Sequence, residues 1–210
     1  MDADPASGAG LYWTYEKTVR GFESRFRSVP GATGALYALA REHFSPMTPS
    51  IILDDVELPM KVVRKGLRCV LVPEATAHDI VAPADVESQR KIRTLTGNFQ
   101  LISLHPWLLS PITNPIFFEF ISHKVLRLVV PYALIVAMVA PFLAGGLYLT
   151  FGLLQIGGYL LAIVGHYSAP ARDRFWPVNA AYMFAALNVA AMRAFRDFVG
   201  DRYSVRWKRA

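Results

Sequence analysis

The chain has 210 residues, 53% of them hydrophobic, with 22 Lys and Arg against 16 Asp and Glu and a formal net charge of +6. Its mean hydropathy of +0.30 is high for a water-soluble domain, and its one cysteine, Cys69, excludes an intrachain disulfide. Residues 1–124 hold 13 basic and 13 acidic side chains, whereas residues 125–210 hold 9 and 3; the basic excess flanks apolar stretches, as anionic headgroups favour, so a nucleic-acid ligand is not expected.

The N-terminal MDADPASGAG lacks the basic and apolar regions of a signal peptide and reads like the middle of an opened domain. Leu11, Tyr15, Val19, Phe22 and Phe26 recur every three or four residues, which predicts an amphipathic helix over 11–27. Pro30-Gly31 ends it. The small-residue turn Gly31-Ala32-Thr33-Gly34 leads into ALYALA, a predicted strand, and then a short helical turn at 41–44. After a loop bracketed by Pro46 and Pro49, Asp54-Asp55 stand where a helix would begin, with Pro59 in its first turns and Gly66 just past its end. Residues 67–72 read as a buried strand holding Cys69, and 75–80 as another, carrying His78 and Asp79. Pro83 and Ala84-Asp85 open a long helix to about His105, basic around Gln89, Arg90, Lys91 and Arg93.

Pro106, Pro111 and Pro115 break the next stretch. With Trp107, Phe117, Phe118 and Phe120, it suits a segment lying at headgroup level. Two apolar spans follow, 125–143 and 147–166, joined by Gly145-Gly146. From Val125 to Gly165 only Arg127 carries a formal charge, over about twice the ~20 residues that cross a hydrocarbon core. A third apolar segment, 178–195, is weaker and contains Asn188 and Arg193; polar groups in a membrane face protein or water, and Arg193, near the segment's end, can snorkel. A full third crossing would carry the basic tail to the far side, against the positive-inside tendency, so either this segment lies in the interface or re-enters, or the tail is an exception. Trp207-Lys208-Arg209 reads as an interfacial anchor. His78 and His123 lack partners at metal-ligand spacing and read as loop or interface histidines.

Three segments carry the chemistry: VPGATGALYALARE, then ILDDVELPMKVVRKGLRCVLVPEA, then QRKIRTLTGNFQ just before the apolar spans. An acidic pair at a helix start holds one carboxylate fixed and leaves the other free to take a proton from a hydroxyl. Arginines three apart on one helical face suit a diphosphate. Glycines let backbone approach a substrate closely.

In this order and spacing the segments resemble the membrane-integrated family 2 glycosyltransferases, the processive polysaccharide synthases and their relatives, over nearly the whole chain. Asp54-Asp55-Val56-Glu57-Leu58-Pro59-Met60-Lys61 is similar to the family's ED-x-D-L helix, and Gln89-Arg90-Lys91-Ile92-Arg93-Thr94 to its Q-x-x-R-W helix. The resemblance implies an α+β fold. Residues 1–105 would be the acceptor and base part of a GT-A-type domain without its donor-binding half. Residues 106–124 would be an interfacial amphipathic segment, and 125–210 an α-helical membrane region with a basic tail, two spans expected and a third possible. It implies Asp55 as catalytic base beside Asp54. Gln89, Arg90 and Arg93 would lie at the nucleotide diphosphate, and Gly31, Thr33 and Gly34 on the acceptor side. The reaction implied is inverting transfer from a nucleotide sugar to a saccharide or lipid-linked acceptor. Mg²⁺ or Mn²⁺ is implied for the complete enzyme, held by ligands outside this chain. The location implied is the plasma membrane, multi-pass, with the catalytic part cytosolic and in contact with membrane lipid.

Aligning Arg93 with the family arginine puts Arg90 at its Gln and Thr94 at its Trp, so the resemblance does not fix whether a polymer is made. Asp2-Ala3-Asp4 has the letters of the family's D-x-D motif but no strand before it, and is read as coincidence. Without the resemblance, Asp54 and Asp55 simply cap a helix, and the chain is a non-enzymatic membrane anchor or accessory subunit. A transporter fragment is disfavoured, because the spans lack paired charges.

Overall fold

The computed structural model describes residues 8–77 and 84–204. The helical periodicities become α1 (Gly8–Phe26), α2 (Asp54–Arg64), α3 (Ala84–Leu104), α4 (Phe117–Phe120), α5 (Leu126–Ala144), α6 (Tyr148–Tyr167), α7 (Ala169–Arg174) and α8 (Trp176–Val199), with 3₁₀ turns at Arg41–His43 and Pro106–Leu109. A π-turn, Ile121–Val125, fuses α4 to α5. The second half of the expected interfacial segment is therefore the lower end of the first apolar helix.

The expected α+β, GT-A-type domain is not what forms. No strand occurs among the described residues; what is not helical is extended or turn. A strand needs a neighbour to complete its ladder of N–H and C=O groups, and neither candidate has one. ALYALA is almost wholly exposed. Residues 67–72 run along the end of α1, held by one backbone bond, Val29 N–H to Cys69 O at 3.0 Å, and by serine hydroxyls. Cys69 N–H donates to Ser28 Oγ and Leu71 N–H to Ser24 Oγ, both at 2.9 Å. Val70 and Val72 are exposed and Cys69 is half-buried, so this is not the buried strand that its apolar letters suggest. The expected strand at 75–80 falls partly on residues 78–83, which, with His78 and Asp79, lie outside the described residues, as does Trp207-Lys208-Arg209.

The soluble core gathers around α2. Val56, Met60 and Val63 pack with Ile52, Leu53, Leu101, Leu108, Ile116 and Phe120. Full burial of each large apolar side chain stabilises the fold by about 2 kcal/mol. Gly97 lets α3 press on the entry to α2: a methyl there would lie 2.6 Å from Leu53 Cγ, too close for any ordinary packing. One turn on, Gln100 latches the same loop, accepting from Ile52 N–H and donating to Ser50 O, both at 2.9 Å.

Buried ion pairs fasten the remaining pieces. The Glu57 carboxylate, 1% exposed, accepts from Thr48 N–H and Oγ, and lies 2.9 Å from Lys61 Nζ and 2.8 Å from His105 Nε2. In α1, Glu16 and Glu23 lie two turns apart on one face and grip His123 of the π-turn, with Nε2 and Nδ1 each 2.8 Å from a carboxylate oxygen. Burial raises the Glu16 carboxyl, but the hydrogen bond and charge of His123, with Arg127 and Lys124, outweigh it and hold the group down at about 2.

The runs Phe117–Ala144 and Tyr148–Tyr167 are each long and apolar enough to cross a membrane, and only 11% and 17% of their most apolar windows are buried within the chain. Helices apolar all round, with little protein cover, match the lipid-facing pattern rather than that of a soluble core helix. They pair antiparallel through Gly145-Gly146, both at positive φ, and Gln155 of α6 donates to Leu134 O at 2.9 Å. The third apolar segment behaves differently. The start of α8 sits against the end of α6, with Gly165 pressed on Val178 and Tyr182. Its later turns pack Ala190, Ala191 and Ala194 on Leu95 of α3 and Leu128 of α5, and Phe195 meets Tyr132 at 5.8 Å between ring centroids. Both ends of α8 thus meet the end of the hairpin opposite its glycine turn, and α8 is not one of the two described helices long and apolar enough to cross a membrane. Asn188 turns its amide back on Phe184 O at 2.8 Å, and Arg193 is exposed.

Burial raises the Glu57 carboxyl, but hydrogen bonds from Thr48, Lys61 and His105 prevail and hold it down at about 2, against an ordinary 4.5. A carboxyl depressed in the folded state stabilises above its unfolded pKa and loses that contribution as pH falls towards the folded one. Tertiary signal in the near-ultraviolet circular dichroism is therefore expected to fall between about pH 4.5 and 2. Glu57→Gln is expected to cost about 3 kcal/mol at neutral pH in denaturant titration, since it strips the charge from a buried pair.

Candidate functional site

The first turn of α2 carries Asp54, exposed, and Asp55, half-buried. Neither aspartate serves as the N-cap: that position is Leu53, which gives no side-chain hydrogen bond. The pair instead occupies the first two helical positions, where the positive end of the helix dipole favours carboxylates.

The small-residue turn lies directly on this pair. Ala32 N–H donates to Asp55 O at 2.7 Å. A Cβ at Gly31 would stand 3.1 Å from Val56 Cγ2, and one at Gly34 would stand 3.1 Å from Asp55 Oδ2. Larger residues at either position would push the turn off the carboxylate. Arg20 of α1 pins the turn from behind, with Nη2 donating to Gly31 O at 2.7 Å and Nη1 to Thr33 Oγ1 at 3.2 Å.

Cations surround the acids. Burial pushes the Asp55 carboxyl up, Lys124 pulls it down, Asp54 pushes it up and Arg20 pulls it down; the net effect is a raised carboxyl. Burial pulls the Arg93 guanidinium down while the charges of Asp54 and Asp55 oppose it, which brings Arg93 into the same electrostatic field. Burial, then Asp54 and Asp55, raise the Tyr37 phenol. Beside Asp54 a depression of about 400 Å³ is lined by Met47, Thr48, Pro49, Ser50 and Ile51, with Ser50 at φ 63. A non-glycine residue in that region is strained, and such strain gathers at functional sites.

The fold thus brings together Asp54, Asp55, Gly31, Thr33, Gly34 and Arg93. Arg90 is half-buried one turn before Arg93, and Gln89 is exposed on the same helix. Sequence reasoning missed Arg20, Tyr37 and Lys124. Lys124 had one signal, as the last lysine before the apolar span, but no sequence spacing links it to Asp55, 69 positions earlier. The cation implied by the resemblance finds no centre here. Among the described residues no three His, Cys, Asp or Glu side chains converge as ligands. Asp54 and Asp55 alone do not fit Mg²⁺ or Mn²⁺, which take near-octahedral oxygen shells.

Without its charge, Lys124 no longer pulls the Asp55 carboxyl down. Lys124→Met is expected to move the Asp55 midpoint further up in a ¹³C-carboxyl NMR titration; a downward move would contradict the electrostatics described. Compared with known proteins, the chain matches no family model, no curated protein and no solved structure.

Proposed function

We propose that this chain takes part in inverting glycosyl transfer at a membrane surface, with Asp55 as the general base. One observation carries the reading: a half-buried carboxyl, raised by burial, lies under a glycine turn and feels the charges of Lys124 and Arg20. A base is most effective when its pKa approaches the working pH, and burial moves a carboxylate in that direction.

In the proposed step, an acceptor hydroxyl of a saccharide or lipid-linked sugar attacks the anomeric carbon of a nucleotide sugar. The new bond joins acceptor oxygen to that carbon, and the bond from the carbon to the diphosphate breaks on the opposite face. The hydroxyl proton passes to Asp55, and Arg93, with Arg90 one turn away on α3, meets the charge growing on the leaving diphosphate. The glycine turn packed on Asp55 forms the acceptor-side wall, with Thr33 as a polar contact. Two helices long enough to cross a membrane support work at its surface. The proposed setting is the plasma membrane, with the Asp55 side facing the cytosol, where nucleotide sugars are held.

Membranes that hold the chain together with the donor-binding half this reading requires, supplied with labelled nucleotide sugars, test the base. Asp55→Asn is expected to lower transfer by 10²–10⁴-fold, the usual contribution of a general base, with expression and thermal midpoint unchanged. Unchanged transfer would make the pair a helix start only and the chain an anchor. Orientation is tested by single cysteines in sealed vesicles, on a Cys69→Ser background. Those placed at Ser168 and Asp201 are expected to react with a membrane-impermeant maleimide from one face, and one at Gly145 from the other. Labelling of Ser168 and Asp201 positions from opposite faces would require α8 to cross.

A further inference from the structure

A second feature lies outside the Asp55 site, where α1 meets α4. There a cleft of about 650 Å³ is lined by Phe22, Phe26 and Phe118 together with Glu23, Glu119 and Arg27. The three rings are 64%, 75% and 74% exposed, whereas Glu23 and Glu119 are each only 8% exposed. Both Glu119 carboxylate oxygens, and Oε2 of Glu23, are buried and take no hydrogen bond among the described residues. Glu23 Oε1 is engaged by His123. Buried carboxylate oxygens without donors are costly and rare in native folds. Three of them beside one cleft point to a ligand that brings N–H donors and positive charge.

The setting narrows that ligand. Phe118 and Ser122, the ends of the cleft's lining on this helix, precede Val125, where the apolar stretch begins, by seven and three residues, or about 10 and 5 Å of helix. The polar layer of a bilayer is about 5–8 Å deep on each side, so the cleft opens at headgroup depth. Its rings offer an apolar wall for the start of an acyl chain, and Arg27 adds a cation suited to phosphate. We propose that the cleft is a binding site for a phospholipid bearing a primary ammonium. The ammonium donates to Glu119 and to Glu23 Oε2, the phosphate faces Arg27, and the glycerol and upper chains lie over Phe22, Phe26 and Phe118. The site does not depend on the glycosyl-transfer reading.

The test uses the full chain in detergent, with native mass spectrometry as readout. Matched-chain phosphatidylethanolamine, its N-methyl and N,N-dimethyl forms, phosphatidylcholine and phosphatidylglycerol are offered at equal concentration. Retention is expected to fall with each methyl that replaces an N–H, and phosphatidylethanolamine is expected to bind at least tenfold better than phosphatidylcholine. Glu119→Gln is expected to shrink that preference below threefold. Equal retention along the methylation series overturns the proposal using the unaltered chain, whether or not the variant folds. So does phosphatidylglycerol binding as well as phosphatidylethanolamine, which would leave only a phosphate contact. An unchanged preference in folded Glu119→Gln also overturns it, as does displacement of bound lipid by a lysine-rich peptide at equal concentration, which would make the cleft a protein-docking site.

Discussion

A single imidazole ring organises the junction between the soluble elements and the apolar helices. His123 is buried with a glutamate on each ring nitrogen. When both nitrogens face carboxylates, both donate, and the ring is held as imidazolium. Its desolvation is offset by two charge-assisted bonds, and removing either glutamate would leave a buried charge poorly matched. Glu16, Arg20 and Glu23 share one face of α1. The grip on His123 therefore also sets where Arg20 reaches the Gly31–Gly34 turn, and so where that turn rests on Asp55. The charge of the neighbouring residue, Lys124, lowers the Asp55 carboxyl. One clasp thus fixes both the height of α1 against the apolar helix and the electrostatics of the acidic pair.

The helices were legible in the sequence because their signal is local. The 3.6-residue recurrence of Leu11 to Phe26, the acids at 54 and 55 and the glycines at 145 and 146 mark α1, α2 and the hairpin turn to within a few residues. The strands were misread because a short apolar run such as LRCVLV has no period that separates buried strand from exposed connector. Only a partner strand could decide, and no strand pairs with it among the described residues. The third apolar segment was ambiguous for a related reason. Its alanines face α3 and the base of the hairpin, whereas Phe184, Val189 and Phe195 are exposed, and composition does not distinguish the two uses.

The site was half legible. An acidic pair and a glycine turn announce themselves, but their contact does not. The bond from Ala32 to Asp55, the reach of Arg20 over 11 and 13 positions and the charge of Lys124 are tertiary facts without spacing rules. Glu57 carries the opposite lesson. Read through the resemblance it was one letter of a motif, yet its buried carboxylate gathers Thr48, Lys61 and His105 and has the geometry of a structural fastener.

The tip of the hairpin bears on how the chain enters a bilayer. Were the hairpin to cross a bilayer, the described backbone carried to the far leaflet would be the tip at Gly145-Gly146, which carries no charge. No folded element and no ionised side chain has to be pulled through hydrocarbon. Two mutually hydrogen-bonded apolar helices entering together, tip first, avoid the penalty of several kcal/mol that each stranded polar group would incur. Insertion of a preformed pair is thus a route this architecture would allow.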